Sequence, residues 1–82
     1  MNLRLVPVRV GTGSPDEDGL LVFADGDRLM AVLTRLADQH GELAGQWFVE
    51  AGFGALDGPD HPTFAELDDA QAWIRQTIAG PH

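Results

Sequence analysis

The apolar positions of this chain fall into runs separated by glycine, proline and acidic residues. In the first run, residues 3–10, Val6, Val8 and Val10 share one face of a strand. Pro7 within it has no amide donor, which predicts a sheet edge or an early stop. Residues 11–19 read as a loop by composition, with the triplet Asp16-Glu17-Asp18 solvated. Leu20 to Ala24 is continuously apolar, as in a strand covered on both faces, and Asp25-Gly26 signals a hairpin. Residues 28–37 fit two templates. As a helix, Leu29, Val32, Leu33 and Leu36 make an i, i+3, i+4, i+7 stripe, with Asp27 as N-cap and Gly41 as stop. As a strand, Met30, Val32, Thr34 and Leu36 face one way, and Leu29, Ala31, Leu33 and Arg35 the other. Periodicity alone favours the helix. The preceding Asp-Gly turn and the strand that follows favour a meander, because consecutive strands usually pair.

Residues 45–54, Gly-Gln-Trp-Phe-Val-Glu-Ala-Gly-Phe-Gly, carry the heaviest apolar face of the chain. With period two, Trp47, Val49, Ala51 and Phe53 fall on one side, and Phe48, Glu50 and Gly52 on the other. Residues 55–62 are rich in turn formers. Thr63 and Glu66 have capping-box spacing, although a helix start two or three residues later fits equally well. The helix runs to about Ile78, with Leu67, Ala70, Ile74 and Ile78 as its apolar stripe, widened by Trp73. Gly80-Pro81 stops it.

Residues 20–79 resemble a group of small, uncharacterised bacterial proteins that carry a Gly-x-Trp-Phe-x-Glu-x-Gly-Phe-Gly segment. Here those positions are Gly45, Trp47, Phe48, Glu50, Gly52, Phe53 and Gly54. In that group the stretch matching residues 28–36 is richer in valine, so the resemblance implies a strand there. It implies no function. The reading adopted is a single α+β domain over residues 1–82. An antiparallel three- to four-stranded meander carries a C-terminal helix packed on one face. The alternative order is β-β-α-β-α, with residues 28–40 helical. The core is read as Trp47, Val49, Phe53, Phe23, Leu67, Ala70, Trp73, Ile74 and Ile78.

Composition narrows the function classes. Hydrophobic residues make up 44% of the chain, which argues for a folded domain despite a net charge of −8. Cysteine is absent, which removes disulfides, thiolate metal sites and cysteine nucleophiles. No apolar run approaches the roughly 18 residues of a membrane span, and no signal peptide is evident, so the expected location is cytoplasmic. All five basic residues are scattered arginines, at 4, 9, 28, 35 and 75. Nucleic acid and anionic membranes both need clustered positive charge, so neither is an expected partner.

Candidate chemistry is sparse. His40 and His61 lie in loops beside Glu42, Asp57 and Asp60, and His82 is terminal; none has metal-ligand spacing on a helix. Asp16-Glu17-Asp18 lacks the alternating ligands of a calcium loop. Gly11-Thr12-Gly13 and Gly52-Phe53-Gly54 lack the third glycine and the lysine of phosphate-binding loops, and Ser14 has no nucleophile elbow. No catalytic, cofactor or metal residue is therefore assigned. Glu50 is read as a glutamate on the wetter strand face, paired with Arg28 or Arg35. The candidate interaction face is Phe48, Glu50, Met30 and Val32, a largely apolar set that a lone helix on the opposite face leaves uncovered. The expected function is non-enzymatic association, as a homodimer or an accessory subunit with a partner of basic charge. One alternative is a small ligand binder or enzyme using Glu50 with His40 or His61. A further alternative is an acidic nucleic-acid mimic.

Overall fold

In the computed structural model, residues 2–11, 18–37, 41–42, 44–58 and 61–80 are described. Five antiparallel strands form one sheet in chain order: β1 (Leu3–Arg9), β2 (Asp18–Ala24), β3 (Arg28–Arg35), β4 (Trp47–Gly52) and β5 (Thr63–Phe64). A 3-10 turn, Gly54–Leu56, follows β4, and the helix α1 (Leu67–Ala79) ends the fold. This is the α+β meander with its C-terminal helix, with five strands where three or four were expected because Thr63–Phe64 adds a short β5. Residues 28–35 are strand rather than helix. The helical stripe at Leu29, Val32, Leu33 and Leu36 yields to tertiary pairing, because β3 is bonded on both sides along its length. The hairpin before it closes through Asp25 and Gly26, both at positive φ (55° and 91°), as an Asp-Gly turn requires.

β1 lies at the sheet edge, where Pro7 has no ladder bond to lose on its open side. Its Arg4 ties the edge to the hairpin. The guanidinium donates to the Gly26 carbonyl (Nη2, 3.0 Å) and lies 4.6 Å from the Phe23 ring centroid. Arg28 and Asp25 pair at 3.3 Å on the same turn, with both side chains more than half exposed. Such a pair contributes at most about 1 kcal/mol.

The core lies between the inner sheet face and α1. Val22, Ala31, Leu33, Ala70 and Ile74 are fully buried, with Val49 and Ala24 almost so. Trp47, Phe64, Leu67, Trp73 and Ile78 pack around them, half-buried. The helix begins at Leu67 with Glu66 as N-cap, three residues after the first capping-box start, because Thr63 and Phe64 pair with Phe48 and Trp47 as β5. Asp68 and Asp69 occupy its first turn, where the helix dipole favours negative charge. Gly80 ends it at φ 81°. No helix among the described residues is long and apolar enough to cross a membrane.

Five expected positions, Met30, Ala51, Gly52, Phe53 and Phe23, are corrected by two β-bulges and by strand phase. Opposite β2, Val22 pairs Ala31 while Phe23 pairs Leu29, so Met30 is the extra residue and turns inward, 5% exposed. It belongs to the core and not to the interaction face. Opposite β3, Leu33 pairs Val49 while Val32 pairs Ala51, so Glu50 is the extra residue. That bulge reverses the phase of β4. Ala51 turns outward, Gly52 faces in, and the extended backbone at Phe53 (φ −129°, ψ 151°) leaves its ring 44% exposed instead of in the core. Phe23, also read as core, lies on the outer face, because Val22 and Ala24 take the inward positions of β2.

Candidate interaction face

Cross-strand register assembles the outer side of the sheet into three rows. The first runs Arg4, Phe23, Leu29, and the second Val6, Leu21, Val32, Ala51. The third runs Val8, Gly19, Thr34, Phe48 and Thr63. Phe53 leaves β4 beside Met30, whose carbonyl accepts its N–H at 2.9 Å, and continues the face past Ala51. The apolar members of all three rows are half-buried, whereas the inner rows hold residues with no exposed surface at all. That contrast marks a face over which no helix or strand of the described residues lies.

Polar groups occur at its margins. Arg4 occupies one corner, over Phe23. Glu50, exposed at the bulge, accepts a hydrogen bond from Thr34 Oγ1 at 3.3 Å rather than pairing with Arg28 or Arg35. Thr34 is fully buried, although it stands on the outer side. The bond to Glu50 satisfies a hydroxyl that would otherwise carry a desolvation penalty of about 1–3 kcal/mol. Beside it, His61 stacks on Phe48 with ring centroids 5.9 Å apart, and its Nδ1 lies 2.9 Å from the Val49 carbonyl. Since a carbonyl only accepts, Nδ1 carries the proton and donates.

His61 therefore serves as a cap on the β4 edge just before β5 begins. Among the described residues no hydrogen bond joins it to Glu50, and both are exposed. His40 and His82, Asp60, Ser14, and the loop residues Asp16 and Glu17 lie outside the described residues. No three His, Asp or Glu side chains among the described residues gather as a metal ion requires.

Of the four residues proposed from sequence for the face, Phe48, Glu50 and Val32 stand on it and Met30 does not. The rows add Val6, Val8, Leu21, Phe23, Leu29 and Ala51. Alternation along β1 already placed Val6 and Val8 together; what the pattern lacked was the pairing that sets them beside Leu21 and Val32. Comparison of the chain with protein-family models, with curated proteins and with solved structures finds no match.

Proposed function

We propose that this protein works by association, and that the outer face of its sheet binds a second copy of the same chain. The observation that carries the reading is the three-row apolar face, half-exposed and without an inner-face counterpart to cover it. Charge favours a second copy as the occupant. The chain carries −8 overall, yet among the described residues the face bears one cation, Arg4, and one carboxylate, Glu50, and these balance. Two copies can stack there without a like-charge clash in the contact itself.

Size sets the strength. Four strands about 4.8 Å apart and three rows about 6.7 Å apart give roughly 400 Å² of projected area a side. Two such faces bury about 800 Å², below the roughly 1,200 Å² of standard stable interfaces. The dimer is therefore reversible and weak, not obligate.

Sedimentation velocity across a concentration series tests this, at low and high salt. The monomers repel through their net charge, so added salt tightens a homodimer, whereas it weakens docking on a basic protein. Val32→Lys places a charge in the middle row on an already half-exposed site; it should abolish the dimer while leaving the far-UV circular dichroism unchanged. A wild-type chain that stays monomeric at millimolar concentration in high salt excludes the homodimer.

A further inference from the structure

The inner face also has an end that the helix does not reach. Beyond the Pro7-Leu20-Leu33-Val49 row, the register places Arg9 opposite Asp18, and Arg35 opposite Trp47. Since Gly19 pairs Thr34, the next step of that ladder brings Asp18 and Arg35 to the same level. The result is one row, Arg9, Asp18, Arg35, Trp47, above a floor of Pro7 and Leu20. An open depression of about 620 Å³ lies here, and no residue of α1 lines it. That volume is in the range of sites for small organic ligands.

We infer that this depression binds a small organic anion with a flat apolar body, its carboxylate or phosphate held by Arg35 and its body resting on Trp47 and Leu20. The inference does not rest on the homodimer, although Val8 and Gly19 of the outer third row also line the depression. Three observations carry it. The chain has 13 acidic residues against five arginines, yet two of those arginines border one depression. Arg35 is exposed and has no carboxylate partner among the described residues, so its planar fork is available for a bidentate oxyanion. Trp47 is half-buried and stands opposite Phe64 on the neighbouring strand, so an indole borders the depression beside that fork.

Asp18 is the opposing group. It stands 3.9 Å from Arg9, both side chains being about three-quarters exposed. So exposed a pair contributes little, and the Asp18 carboxylate on the same row repels an oxyanion held by Arg35.

The test is a titration of ¹⁵N-labelled full chain with benzoate, phenyl phosphate and neutral benzyl alcohol, followed by amide and indole N–H shifts. The expected result is saturable movement of Gly19, Leu20 and the Trp47 indole with an anion, and none with benzyl alcohol. Arg35→Gln, at an exposed site, should weaken that binding about tenfold with the rest of the spectrum unchanged. Asp18→Asn should tighten it. A preference for benzoate or for phenyl phosphate identifies the oxyanion, and either one supports the site. Equal response to benzyl alcohol, no saturation at millimolar concentration, or binding undiminished in Arg35→Gln overturns it.

Discussion

Replacing Gly52 with alanine is expected to destabilise the domain by about 3 kcal/mol or more. A methyl group built there runs into the Leu56 carbonyl oxygen and sits 2.9 Å from the Leu56 carbonyl carbon and Cβ. These are mostly backbone atoms of a tight turn, so no side-chain rotation relieves the clash. Gly52 does not hold a positive φ, so its backbone conformation would accept alanine without strain. In open space the same change usually stabilises by about 0.4–1 kcal/mol through the unfolded chain, so even the sign is diagnostic. Against the roughly 4–12 kcal/mol expected for a domain of this size, the loss is severe. Urea unfolding monitored by tryptophan fluorescence measures it. An unchanged or raised midpoint would mean that Leu56 does not fold back over Gly52.

The second large effect is at Leu33, which is fully buried at the centre of the inner face between Leu20 and Val49. Leu33→Ala should cost about 2–5 kcal/mol through lost burial and the cavity left behind. The instructive control is Phe53→Ala. Phe53 is the larger side chain and was expected in the core, yet it is 44% exposed, and its loss should cost less than about 1 kcal/mol. Measured side by side in urea, the two variants should differ by at least a factor of two. Equal costs would place Phe53 back in the core and remove the phase reversal in β4.

How far the sequence could be read depends on where local pattern and pairing agree. Helix α1 was legible because the Leu67, Ala70, Ile74, Ile78 stripe, its acidic first turn and Gly80 all point the same way. The strand at 28–35 was legible only through its neighbours, since its own periodicity fits a helix. Phe53 and Met30 were misplaced for one reason. A bulge inserts a residue without any mark in the apolar alternation, and every side chain beyond it changes face. The candidate face shares that limit: Phe48 and Val32 were visible in strand phase, but Phe23 was assigned to the wrong side because the continuous run 20–24 carries no alternation to orient it. The Arg9–Arg35 row was invisible for a different reason, as its members are 26 positions apart in the chain and meet only through β2.

The strand order has a consequence in time. Every strand pairs with its immediate predecessor, so the sheet assembles through a series of local hairpin closures. The helix that seals the inner face is the last element of the fold. As the chain leaves the ribosome, residues 3–64 can zip into a sheet with both faces still bare. Until residues 67–79 emerge and dock, the nascent chain displays its widest apolar surface, and a chaperone's protection would matter most in that interval.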